Sequence, residues 1–217
     1  MELETRSRGE LISKLEQVKL RNSGKQPYLN ARIDLITLDP AILAPTQRYV
    51  LTQELKKIEQ VRWGILEDHH IDILNMDGYV KCHYTDKTPL YELGKLEPYD
   101  EVDNYPPHTI DVLPPVVEEY FDPKGQLHLI ICDGQHRCYL GYTMGTMITV
   151  AYVRGIHWGY PYYAYPLPNG WADVEIRDDI PEGYIKKFHV AKDHKSLYRL
   201  FNTEFENVGD SRPYDKK

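Results

Sequence analysis

Apolar positions along the chain alternate between two periods. From Glu2 to Leu20, Leu11, Ile12, Leu15, Val18 and Leu20 recur near the helical repeat among charged residues, which predicts an appended helix. Ala31 to Leu38 switches to a strand-like pattern, and Asp39-Pro40 and Pro45 end it because proline removes a backbone donor. A loop carrying Pro45-Thr46-Gln47 leads into a second helical stretch, Val50 to Ile65, with Val50, Leu51, Leu55, Ile58 and Val61 along one face. Thr52 is placed to cap that helix and Gly64 to end it.

The stretch from Glu67 to Pro107 predicts a short strand, Ile71 to Leu74, then a turn at Met76-Asp77-Gly78, within an otherwise irregular insertion or flap. Thr109 to Val112 is extended in pattern, but Pro114 and Pro115 confine such a strand to an edge or an early end. Val116 to Tyr120 and Gln126 to Cys132 predict a hairpin around Asp122-Pro123-Lys124-Gly125. A helix over 136 to 144, closed by Gly145, and a buried strand, Met147 to Val153, follow. Leu197, Leu200, Phe201 and Phe205 predict a last helix over Lys195 to Phe205. Strands and helices interleaved in this way predict an α/β (α+β) fold without internal repeats.

With 217 residues and 41% hydrophobic content the chain can bury one substantial core, which predicts one domain with decorated ends. The divisions are a helical extension over 1–30, a central domain over 31–155 with its insertion at about 67–107, and a Tyr-rich loop and helix over 156–217 packed on that domain. The net charge of −7 opposes a dominant nucleic-acid footprint, because nonspecific affinity comes from Lys and Arg on phosphates. Three cysteines without a CxxC pair do not form a disulfide framework and suit a reducing compartment. No apolar run approaches the roughly 20 residues that cross a bilayer, and the charged N-terminus lacks a leader pattern. A soluble, cytoplasmic protein is the expectation. Of 18 tyrosines, Tyr160, Tyr162, Tyr163 and Tyr165 cluster; they suit a ligand wall or interface, though packing on their own domain is the preferred reading.

The most informative pattern is an apolar strand, Leu129 to Cys132, running directly into Asp133-Gly134-Gln135-His136-Arg137 and a helix. Gly134 permits a backbone conformation or close approach that a side chain would obstruct, and the helix start offers unpaired N–H groups to an anion. Arg137 adds a forked, permanent charge, while His136 can hydrogen-bond or shuttle a proton. Asp133 can hold Mg²⁺, orient His136 or cap the helix. The bland alternative makes Asp133-Gly134 a turn and Asp133 only a cap.

Leu38-Asp39-Pro40, Pro45-Thr46-Gln47, the helix through Ile58, the pentad and the strand through Val153 together resemble the ParB/sulfiredoxin superfamily over about residues 31 to 155. Its members carry a strand followed by a glycine-containing signature of the DGxHR or GxxR type. The resemblance implies a mixed sheet with flanking helices. Sulfiredoxins place a catalytic cysteine before the signature histidine, where this chain has Gln135; chromosome-partitioning members bind CTP and attach a DNA-binding helix-turn-helix that this acidic chain does not show. The pentad is similar to the DGHHR-like signature of free-serine kinases. That branch implies ATP or ADP with Mg²⁺ as cofactors and phosphoryl transfer to a small hydroxyl-bearing substrate. It also implies nucleotide contacts from Thr46, Gln47, Gly134, Gln135, His136 and Arg137, metal binding by Asp133, and catalytic parts for Asp133 and His136. Its catalytic glutamate aligns near Gln47, and an amide cannot act as a base, so Glu54, Glu67 and Asp68 are the candidates for that part. The alternatives are a noncatalytic nucleotide- or DNA-binding module and a ParB-like nuclease; assembly into a homo-oligomer is compatible with the sequence.

Other groups carry less. Glu67-Asp68-His69-His70 holds metal-capable side chains, but consecutive residues rarely converge on one ion. Cys82, His83 and His128 lack zinc spacing, and Cys132 and Cys138 are expected to be buried as small hydrophobes. Trp63, Trp158 and Trp171 are expected to pack, and Lys192, His194, Lys195, Arg199 and Arg212 to form a solvated basic face.

Overall fold

The computed structural model describes residues 2–21, 23–84, 108–157, 160, 164–180, 188, 198–206 and 208. Its centre is a mixed five-stranded sheet of β3 (Arg32–Leu38), β4 (Leu43–Ala44), β8 (Val116–Phe121), β9 (Leu127–Asp133) and β10 (Ile148–Arg154) in the order β3-β10-β8-β9-β4. The β8–β9 hairpin and the β3–β10 pair are antiparallel, while β10–β8 and β4–β9 are parallel. Successive side chains of a strand face opposite sides. Val116, Ile130, Cys132, Ala151 and Val153 accordingly join one hydrophobic cluster, and Val117, Ile131, Ile148 and Val150 another. The α/β class, the hairpin and the closing strand therefore stand as the hydrophobic pattern predicts.

The first cluster is covered by α1 (Arg8–Gln17), through Leu11 and Leu15, and by Phe201, Phe205 and Val208 from the C-terminal part. The second is covered by α3 (Gln135–Met144) through Cys138 and by Trp171. A third cluster lies between α2 (Thr52–His69) and a separate antiparallel sheet, β1 (Glu2–Ser7), β6 (Gly78–Tyr84) and β7 (His108–Val112), in the order β1-β6-β7. β7 is an edge strand ending before Pro114, as its prolines require. Short pairings complete the fold: β5 (Tyr49–Leu51) runs parallel to β11 (Glu175–Arg177), and β2 (Lys19–Leu20) antiparallel to β12 (Arg199–Leu200).

Five expectations about the elements are corrected. The N-terminal helix starts only at Arg8, because Ser7 and Glu10 form a capping box that breaks the chain there, and Glu2 to Ser7 pairs with β6 instead. Thr52 does not cap α2 and Gly64 does not end it; the N-cap position is Leu51, and the helix passes through Gly64 to stop where His70 turns left-handed at φ 58°. Ile71 to Leu74 is a turn whose Ile73 and Leu74 are buried, held by Asp72, which accepts from Leu74 N–H and pairs with both Arg62 Nε and Nη2. In the span read as an irregular insertion, α2 reaches His69 and β6 occupies Gly78 to Tyr84, while residues 85–107 lie outside the described residues. The last helix is likewise replaced, over its described part, by β12 and a short 3₁₀ turn, Phe201–Thr203.

Arg199 was expected on a solvated face and is instead only 4% exposed, because Glu118 of β8 draws it into the core. Its Nε and Nη2 donate to the two carboxylate oxygens at 2.9 Å each, and Tyr28 Oη donates to Glu118 Oε1. Burial and the Glu118 charge hold the Tyr28 hydroxyl well above the usual phenol range, so it stays a donor. Removing one partner of such a pair leaves an uncompensated buried charge. Arg199→Met is therefore expected to cost about 3–5 kcal/mol in urea unfolding, and adding Glu118→Leu to recover a large part of that loss.

Candidate functional site

The site is built where β9 hands over to α3. The register slips by one residue between Val116↔Asp133 and Val117↔Ile131, which leaves Cys132 as the extra residue of a β-bulge. A bulge bends its strand and re-aims the side chain beyond it, here Asp133. Gly134 then turns left-handed at φ 79°, and a Cβ there would come within 3.0 Å of Pro115 and of Arg137 Nη2. Only glycine fits that turn at no steric cost. It is also the N-cap position of α3, without a side-chain cap, so the expectation that Asp133 caps the helix is corrected.

Gln135 opens α3 and is 1% exposed. Its Oε1 accepts from the backbone N–H groups of Thr46 (2.9 Å) and Gln47 (2.8 Å), and its Nε2 donates to the Gln47 carbonyl at 2.7 Å. Thr46 is fully buried and its hydroxyl donates to the Ile131 carbonyl. Thr46 and Gln47 were both expected among the nucleotide contacts; here the Thr46 hydroxyl and the backbone groups of both tie the Pro45-Thr46-Gln47 loop to the junction. His136 is fixed in the same way, since its Nε2 accepts from Leu51 N–H at 3.0 Å. An accepting Nε2 places the ring proton of the neutral imidazole on Nδ1, and this nitrogen cannot shuttle a proton while the bond persists.

Arg137 is the charge of the site. Its side chain is 11% exposed, and Nη2 reaches Asp133 Oδ2 at 3.4 Å, a long contact. Burial pushes the guanidinium below its ordinary pKa against the opposing pull of Asp133, which marks a cation whose desolvation outweighs its compensation. Nη1 is buried with no hydrogen-bond partner. So is Oε1 of Gln47, on a residue 8% exposed. Cys138 is fully buried, and burial drives its thiol far above the usual range, so it packs rather than reacts.

The three candidate carboxylates do not come together. Glu54 sits in the first turn of α2, just beyond the Leu51 N–H that holds His136, and pairs with Lys57 at 3.4 Å. Glu67 and Asp68 lie at the other end of α2, about 20 Å further along at 1.5 Å per residue. Arg62, midway along α2, already donates to Met144 at the far end of α3 from the junction.

The family model described as the ParB CE domain matches residues 10–175. The chain belongs to the ParB CE domain family. No curated protein and no solved structure matches it. The matched span of this ParB CE domain contains the Thr46–Gln47 loop, α2, the junction and Trp171.

Sequence patterns did not reveal the strap that closes the ParB CE site loop from the C-terminal side. Leu167 N–H donates to the Pro45 carbonyl, Phe188 N–H to that of Thr46, Glu175 N–H to that of Arg48, and β11 pairs with β5. Trp171 anchors this segment by stacking on Tyr142 of α3 and donating to the Pro40 carbonyl at 2.9 Å. These bonds join backbone groups distant in sequence, and only the Pro/Tyr-rich composition marked the region. Tyr165 packs edge-on against Tyr120, whereas Tyr162, Tyr163, Trp158, Lys192, His194, Lys195 and Arg212 lie outside the described residues. Among the described residues no three His, Cys, Asp or Glu side chains gather as a metal site, and no helix is long and apolar enough to cross a membrane.

The Gln135 clamp yields a direct test. Gln135→Leu leaves the Thr46 and Gln47 N–H groups buried without acceptors, at an expected cost of about 3 kcal/mol. Hydrogen exchange at those two amides should accelerate well beyond that of the β10 amides, which identifies the loop as the part released.

Proposed function

We propose that the β9–α3 junction binds the phosphates of a nucleoside di- or triphosphate, ATP or ADP, carried with Mg²⁺, and directs phosphoryl transfer to the hydroxyl of a small substrate. One observation carries this reading: a desolvated guanidinium, Arg137, keeps Nη1 buried and unpaired at the start of a helix. A phosphate oxygen satisfies that donor, and the first N–H groups of α3 beyond Gly134 supply further partial positive charge.

The residues suit such a ligand. Phosphate-borne Mg²⁺ keeps most of its waters and takes one or two protein carboxylates, and Asp133 offers one beside Arg137. Bound there, the metal would neutralise charge on the phosphates. Arg137 holds the transferring group, and His136 is a positioning residue that fixes the junction against Leu51. In the transfer, the acceptor oxygen bonds to the terminal phosphorus, the bond from phosphorus to the nucleotide's bridging oxygen breaks, and a carboxylate takes the hydroxyl proton. Glu54 is the carboxylate assigned to that proton, because it alone of the three candidates stands at the end of α2 that adjoins the junction.

A thermal-shift series with ADP, ATP, CTP and GTP, each with Mg²⁺, followed by assay for phosphorylated product over a panel of hydroxyl compounds, tests the proposal. Arg137→Ala is expected to weaken nucleotide binding by about 1.5–3 kcal/mol with the fold intact. An unchanged titration by the folded variant removes Arg137 from the site. Glu54→Gln should lower turnover by roughly two orders of magnitude with little change in nucleotide affinity, whereas Glu67→Gln and Asp68→Asn should not. Nucleotide binding without transfer to any acceptor would make the domain a noncatalytic binding module.

A further inference from the structure

We propose that this junction selects ligands presenting a hydrogen-bond donor beside the anion, with Arg137 Nη1 donating to a phosphate oxygen and Gln47 Oε1 accepting from a hydroxyl or N–H of the same molecule. The inference rests on the phosphate reading given above and adds a selectivity to it. It comes from the polarity of two buried atoms that lack partners in one neighbourhood. Gln47 is fastened to the first turn of α3 by both its backbone N–H and its carbonyl, through Gln135, and Arg137 belongs to that turn. One atom is a donor and the other an acceptor. Had they been within reach they would have satisfied each other, yet both stand unpaired.

Buried polar groups are almost always satisfied, and a donor left over on the first turn of α3 and an acceptor left over on the loop fastened to that turn are complementary to a ligand that carries both functions. Arg137 supplies the charge attraction, which any phosphate meets. Gln47 supplies discrimination, since only a ligand that carries a donor pairs the carbonyl oxygen that is otherwise left buried without a partner. The Gln47 backbone is held by Gln135 independently of its side chain, so the acceptor can be removed without releasing the loop. The ligand class is therefore a phosphate ester with a free hydroxyl or N–H close to its phosphate, rather than inorganic phosphate or a simple alkyl ester.

Two size-matched probes that differ by one hydroxyl decide the matter: 2-hydroxyethyl phosphate and ethyl phosphate, titrated into the full chain by calorimetry. The wild type is expected to bind the hydroxyl ester about tenfold more tightly, the effect of one buried hydrogen bond. Gln47→Met, close in size but without the acceptor, should bring the two affinities together while leaving that for ethyl phosphate unchanged. Gln47→Glu keeps an acceptor oxygen, so it should weaken both esters by charge repulsion and preserve the preference. Equal binding of the two esters by the wild type, or a preference that survives Gln47→Met, overturns the selectivity and leaves the phosphate reading standing. Should neither ester bind the wild type, the phosphate reading falls and the selectivity with it. If Gln47→Met does not fold, the wild-type comparison and Gln47→Glu decide between the same outcomes.

Discussion

The three hydrogen bonds of the Gln135 amide set the geometry on which the site depends. A glutamine side chain can accept and donate at once, and this one accepts twice from the loop after β4 and donates once back to it. The loop and the start of α3 are thereby held at a fixed separation, with no apolar contact able to substitute for the direction of those bonds. The position of Gln47, the approach of β5 to His136 and the start of α2 all follow from that attachment. In a buried setting each of these bonds resists loss more strongly than its net worth suggests, because breaking one strands a backbone group.

The separation of roles along the pentad follows from burial. Gly134 provides backbone space, Gln135 and His136 hold neighbouring chain segments, and Arg137 and Asp133 carry charge in a partly desolvated place. A charge kept this way contrasts with Arg199, equally drawn inward but paired through Nε and Nη2 with both oxygens of Glu118, to which the Tyr28 hydroxyl also donates. The two arginines show how the same residue type serves cohesion when its fork is matched and keeps a donor to spare when part of it is left over.

Much of the architecture was legible because alternation and turn chemistry act locally. The hairpin at Asp122-Pro123-Lys124-Gly125, the strand ending at Asp133, the left-handed Gly145 after α3 and the buried Ile148 to Arg154 strand each follow from a few adjacent residues. The junction was equally visible, as an apolar strand abutting a glycine-bearing polar run. What escaped depended on partners far away. Nothing near Arg199 announces that Glu118 will bury it, and Glu2 to Ser7 becomes a strand only because β6 offers an edge. Gln135 and Thr46 looked like ligand contacts for the same reason: a polar side chain beside a site can face either the ligand or the scaffold, and the choice is made by segments about 90 residues apart, which local pattern does not report.

The strap over the site loop sets the order in which the molecule can be completed. The carbonyls of Pro45, Thr46 and Arg48 find their donors at Leu167, Phe188 and Glu175, more than a hundred residues later. Contacts of such long sequence separation form late, after the entropy of closing the intervening chain has been met. During synthesis the signature and its sheet can assemble while these carbonyls still face water, and the site loop acquires its final backbone partners only when the strap has left the ribosome. The backbone geometry of the site loop is thus among the later features the growing chain can fix.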